Sequence, residues 1–168
     1  MYIADKYWNN YIGDTDDSMT LVDYLADKQK NEITLSEIFS DTGLDKLNGD
    51  FRGHEEPLIV NLKNLESDYD EIYVEFYYAM NLITDLAALL LECRVNGSVN
   101  LCALYDGVEA VVPEVRITAT PEEHALINQA LLDFVSEPQA FDVSEVNSEE
   151  DLQAATEVCA KLRAELYG

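Results

Sequence analysis

The sequence predicts an α+β fold: a small, mostly antiparallel sheet packed against four or five helices, in a single domain over residues 1–168. Three observations predict it. The apolar period is 2 over Glu71–Tyr78 and becomes helical from Asn81 onward. Two helix starts carry cap signatures, T-x-x-E at Thr34 and Thr120-Pro121 followed by Glu123. A hydrophobic content of 48% over 168 residues supplies a packed core in spite of heavy charge.

The elements follow in order. An aromatic opening (Tyr2, Tyr7, Trp8, Tyr11) ends at Gly13 and the run DTDDS. A helix starts near Thr20, with Leu21, Tyr24 and Leu25 on one face. A second starts at Thr34, presents Leu35, Ile38 and Phe39, and stops at Gly43. The stretch LDKLNGDFRGHEEP is loop. Leu58–Leu62 and Glu71–Tyr78 are strands joined by the turn NLESDYD into a hairpin. In the second strand Ile72, Val74, Phe76 and Tyr78 share one face, and Tyr73, Glu75 and Tyr77 share the other. The next helix repeats Leu82, Leu86, Leu89, Leu90 and Cys93, and Ala87, Ala88 and Leu91 fill out its circle, so it is central and buried. Val108–Val112 and Val115–Thr118 flank Pro113 as one interrupted strand or two short ones. A helix capped by Thr120 follows, and a last one from Ser148 carries the stripe Leu152, Ala155, Cys159, Leu162 and Leu166.

Charge is the dominant signal. The net charge is −24, from 34 acids against 10 Lys and Arg. Such a field repels nucleic acid and anionic membrane and accelerates encounter with basic proteins. The bases are missing in blocks. There are ten acids between Ile117 and Ala160, seven between Asn64 and Cys93, and five between Tyr7 and Asp27, with no Lys or Arg in any of the three intervals. These acids are not laid out as i, i+4 salt bridges, the usual support of a charged helix.

Three cysteines without paired spacing fit a reducing compartment rather than a disulfide framework. The N-terminus shows no secretory signal pattern, and the longest apolar run, Leu86–Leu91, is far too short to span a bilayer. A cytoplasmic protein is the expectation, without membrane association or direct nucleic-acid binding.

Catalytic and metal signatures are weak. DTDDSMTLVDYL places Asp14, Asp16 and Ser18 at alternate positions, as in a calcium loop. Met19 stands where that loop needs Gly, and Leu25 where it needs Glu, so the acids are better read as the start of a helix. His54 and His124 have no partner at metal spacing, and no Gly-rich phosphate loop appears. The expectation is a non-enzyme with no metal and no cofactor. The candidate partner-binding residues are Glu71, Tyr73, Glu75 and Tyr77 on the outer strand face, Asp68 and Asp70 in the turn before it, and Asp14, Asp16 and Asp17. Tyrosine supplies broad, rigid contact area, and carboxylates among tyrosines suit basic side chains.

Segments such as DKYWNNYIGDTDDSMTLVDYLADKQ, LSEIFSDTGLDKLNGDF, ITDLAALLLECRVNGSVNL and ITATPEEHALINQALLDFVSEP resemble small acidic bacterial immunity proteins, the cognate antitoxins of contact-dependent growth inhibition and related polymorphic toxin systems. The resemblance covers most of the chain. It implies a protein that binds and neutralises one toxin domain in the cytoplasm, and many such toxins are basic nucleases. The alternative from the charge alone is a nucleic-acid mimic that inhibits DNA-binding or restriction proteins.

Overall fold

A computed structural model of the protein describes residues 1–64 and 71–168. The predicted turn therefore lies largely outside the described residues, with Asp68 and Asp70 in it. The fold class is as predicted, with five α-helices and two small sheets among the described residues.

Helix α1 (Asp16–Lys28) begins earlier than the apolar spacing indicates. Thr15 and Ser18 close a reciprocal capping box there, a pairing the hydrophobic period does not report. Strand β1 (Glu32–Thr34) leads directly into α2 (Leu35–Thr42). At α2 only half of the predicted box forms. Thr34 accepts from the Glu37 N–H, while the Glu37 carboxylate turns to Lys30 at 2.7 Å and Lys28 at 3.5 Å. Gly43 ends the helix in the left-handed region, as its position in the sequence predicts.

The strands divide between two sheets rather than one. Strands β2 (Leu58–Leu62) and β3 (Ile72–Phe76) form the predicted antiparallel hairpin, with Val60 opposite Val74 and Ile59 opposite Glu75. Strand β5 (Glu114–Thr118) pairs antiparallel with β4 (Val99–Asn100) and parallel with β1, Ile117 opposite Ile33. Residues 108–112 form no strand. Pro113 has no N–H to give a ladder, and its carbonyl accepts from the Leu101 N–H instead.

Helix α3 (Ala79–Asn96) is the centre of the core, with Leu82, Ile83, Leu86, Leu89 and Leu91 fully buried. Helix α4 (Pro121–Ser136) starts with the predicted box between Thr120 and Glu123, and α5 (Glu149–Tyr167) with the Ser148 cap. On α5, Leu152, Cys159, Leu162 and Leu166 are buried and Ala155 half-buried, which is the predicted stripe. Helices α3 and α5 run the same way. Met80 and Thr84 share one cleft with Leu152 and Ala155, while Leu90 and Arg94 share another with Leu166 and Tyr167. Helix α4 runs against them, bringing Phe134 to the first cleft and His124 to the second.

The opening segment is tied to this frame at three places, the first being the Ile3 N–H, which donates to Glu92 Oε1 on α3 at 2.9 Å. The Tyr2 and Tyr7 hydroxyls donate to the Glu165 carboxylate near the end of α5. At Gly13, with φ +76°, the Trp8 ring lies where a Cβ would stand, 2.3 Å from the nearest ring atom. The Gly13 N–H donates to Asp85 Oδ1 at 3.0 Å, and its carbonyl accepts from the Tyr105 hydroxyl. Only glycine meets all three demands at once.

Candidate functional site

The hairpin turns one face to solvent. Tyr73 is 65% and Tyr77 59% exposed; Glu71 and Glu75 are exposed too, and Ile59 stands beside Glu75 across the ladder. Phe76 is fully buried, with Ile72, Val74 and Tyr78 half-buried, so the predicted two-faced alternation holds. Glu71 accepts from Asn61 Nδ2 at 2.9 Å and from the Tyr73 hydroxyl at 3.0 Å. Those two bonds hold its carboxyl below the usual carboxylate range, the Asn61 bond first. The same carboxylate pushes the Tyr73 hydroxyl upward.

Tyr77 is where the hairpin meets the start of α1. Its N–H donates to Asp17 Oδ1 at 2.8 Å, and the next N–H, of Tyr78, donates to Oδ2 at 3.0 Å. Asn81 Nδ2 adds a third bond to Asp17 Oδ2. Asp17 is 2% exposed, so this carboxylate faces inward and positions Tyr77. His54 holds the other side of the same residue, with its ring nitrogens 2.9 Å from the Glu56 carbonyl and 3.0 Å from that of Tyr77.

Below Tyr77 a cleft of about 430 Å³ opens where α1, α3 and α5 all begin. Its floor is apolar, from Met80, Phe134, Leu152, Ala155 and Cys159. Around its mouth stand Tyr11, Tyr77 and Val146 with the exposed carboxylates Asp14, Asp16 and Asp151. None of its described lining residues is basic. The structure thus brings Asp14 and Asp16 together with Tyr77. The Tyr73, Glu75 and Glu71 side chains lie outside this cleft, along β3.

Tyr11, Val146 and Asp151 were not among the predicted residues. Asp151 is legible only as an acid in the first turn of α5. Tyr11 belongs to the aromatic opening, but its left-handed backbone, φ +64°, has no sequence signal. Such a conformation in a bulky residue persists where the surroundings impose it.

Behind the cleft lies Asp85, 1% exposed. It accepts from the Gly13 N–H and, at 2.6 Å, from the Ser18 hydroxyl. Burial pushes its carboxyl up to about 7, against the pull of those two bonds. Asp85 therefore fixes the loop that carries Asp14 and the start of α1.

A second cleft of about 430 Å³ at the opposite ends of α3 and α5 has the reverse character. Arg94, Arg116 and His124 line it with Cys93 and Tyr167. Arg94 donates to the Glu165 and Leu166 carbonyls and so caps α5. The Cys93 thiol contacts the Val115 carbonyl at 3.8 Å and burial pushes it up, the wrong direction for a nucleophile. Burial likewise raises Cys159 to about 12.

Ion pairs among the described residues leave the three base-free blocks untouched. Among the described residues, the acids in salt bridges are Glu37, Asp41, Asp50 and Glu165, all outside those blocks. No group of His, Cys, Asp and Glu among the described residues is arranged to hold a metal ion, and no described helix is long and apolar enough to cross a membrane.

An acidic, tyrosine-rich surface with a shaped apolar cleft is the layout of a protein-binding module. The chain belongs to the Immunity protein 68 family, whose model matches residues 2–166. The family is one of immunity proteins, and its partner is a cognate toxin. No curated protein and no solved structure matches the chain.

Proposed function

We propose that this protein neutralises a basic toxin domain of the nuclease class in the cytoplasm of the cell it protects. It does so by covering the toxin with the surface that runs from the outer face of β3 to the cleft beneath Tyr77. The observation that carries this reading is the set of exposed carboxylates along that surface and the absence of bases from the described cleft lining. Glu71 and Glu75 lead through Tyr77 to Asp14, Asp16 and Asp151, and none of the described residues lining the cleft is basic. A nuclease must present cationic groups to nucleic acid, and an acidic cover competes for those groups. Catalysis is not part of this role.

The test is capture of the toxin from the native cell with this chain as bait, followed by association kinetics over a salt series. The reading expects one dominant basic partner, with an association rate that falls steeply between low and physiological salt. Capture of several unrelated DNA-binding proteins would replace it with nucleic-acid mimicry. An acidic partner, or an association rate indifferent to salt, would end it.

A further inference from the structure

We propose that the cleft beneath Tyr77 seats an arginine side chain of the toxin, so that the contact is anchored at this point. The inference rests on the reading above and adds the chemistry of the anchor.

Charge decides the sign of the guest. Three helices begin at the cleft, each N-terminus carrying about half a positive charge, and the last turn of α4 at Phe134 offsets about half a charge, leaving roughly 1 in all. The lining holds four aspartates, so the carboxylates win. Asp17 is consumed by Tyr77, Tyr78 and Asn81. The Thr20 hydroxyl donates to the Asp16 backbone carbonyl, but the carboxylates of Asp14, Asp16 and Asp151 accept no hydrogen bond among the described residues and are exposed.

The floor decides the shape of the guest. Met80, Phe134 and Leu152 are 1%, 4% and 3% exposed and offer a packed apolar surface. A purely apolar guest would fit the floor but would strip water from the carboxylates around it without replacing those bonds, which is unfavourable. A cation on a methylene stem satisfies both levels. Arginine does so better than lysine, because its planar guanidinium pairs two-pronged with carboxylate and stacks on tyrosine rings such as Tyr11 and Tyr77. The mouth is preorganised for this. Gly13, Asp85 and Ser18 hold the 13–18 segment, and Asp17 with His54 holds Tyr77.

The experiment is a titration of the isotope-labelled full chain, read by amide chemical shifts, with N-acetyl-arginine N-methylamide. The lysine and norleucine amides serve as comparators. Saturable shifts confined to residues 11–17, 77–84 and 146–159 are expected, at least threefold tighter for arginine than for lysine and absent for norleucine. The double variant Asp16→Asn/Asp151→Asn should abolish them while leaving the melting temperature within about 2 °C. Equal response to norleucine, equal response to lysine, absence of saturable binding, or shifts spread evenly over the acidic surface would each overturn the proposal. The same double variant separates this inference from the reading beneath it. If the captured toxin binds it with undiminished affinity, the anchor is wrong and the immunity reading stands. If no toxin is captured but the arginine amide binds as expected, the immunity reading is what fails.

Discussion

The two ends of the parallel pair α3 and α5 differ in nearly every respect except size. At the first end, three helix N-termini meet exposed carboxylates, tyrosines and an apolar floor. At the other, the C-termini of α3 and α5 meet Arg94, Arg116 and His124. The clefts stand roughly 15–20 Å apart, judged from the helical rise between their lining residues. Acids at N-termini and bases at C-termini are what helix dipoles favour, so part of this polarity is structural. The internal bonds separate the structural part from the surplus. Arg94 is spent on the end of α5, as Asp17 is spent on the corner before α3. Asp14, Asp16 and Asp151 are spent on nothing inside the described chain, and that surplus is what a partner can use.

The comparison can be broken most severely at Gly13. Gly13→Ala should destabilise the fold by about 3 kcal/mol or more, from a left-handed backbone and a Cβ driven into the Trp8 ring. Gly97→Ala, at the opposite end with φ +86° but open space around it, should cost only about 1–2 kcal/mol. Urea unfolding of the two variants side by side tests the difference.

Asp17→Ala should cost about 2–3 kcal/mol, because it leaves the Tyr77 and Tyr78 N–H groups and the Asn81 amide without their acceptor. Arg94→Ala exposes its two carbonyls to water and should cost less than half as much by the same denaturation assay.

Asp85 makes the acidic end sensitive to pH. Its folded carboxyl lies at about 7 against 3.8 when unfolded, so the folded state holds a proton that the unfolded chain releases. That contribution is fully present below about pH 4, is lost as pH rises to about 7, and then stays constant. Between those limits the slope approaches about 1.4 kcal/mol per pH unit. Asp85→Asn should remove it, so the stability difference between variant and wild type should move in the variant's favour from pH 4 to pH 7. A parallel pair of unfolding curves across that range would contradict the assignment.

Binding sharpens the comparison further. Glu75→Lys and Tyr77→Ala should each weaken toxin affinity by at least tenfold, about 1.4 kcal/mol, with the fold intact. The smallest effect belongs to Arg116→Glu in the basic cleft. It should leave toxin affinity within about twofold and stability within about 0.5 kcal/mol by calorimetry. A large loss of binding there would place the contact at the wrong end.

The parts of the fold written locally were legible. Thr120, Pro121 and Glu123 announce α4 because a capping box needs only three residues of context. The change of period at Asn81 announces α3, and the alternation in β3 separates Phe76 from Tyr73. Strand β1 was not legible. Its three residues pair with β5 across more than eighty positions, and no local pattern marks them. The site divides along the same line. Glu75, Tyr77, Asp14 and Asp16 were named as candidates from charge and alternation, and all four are exposed. That Tyr77 and Asp16 share a cleft, that Asp17 turns inward, and that His54 braces Tyr77 are all tertiary facts.

The bonds from Tyr2 and Tyr7 to Glu165 also set an order in time. They join residues about 160 positions apart, among the widest separations the chain offers. A contact of that range pays its loop-closure entropy late and adds to the slow, non-local part of folding. The ribosome makes Tyr2 and Tyr7 before α5, whereas the bonds of Gly13 and Ser18 to Asp85 need only α3. In a growing chain the Tyr2 and Tyr7 hydroxyls therefore stay without this carboxylate partner until Glu165 has been made.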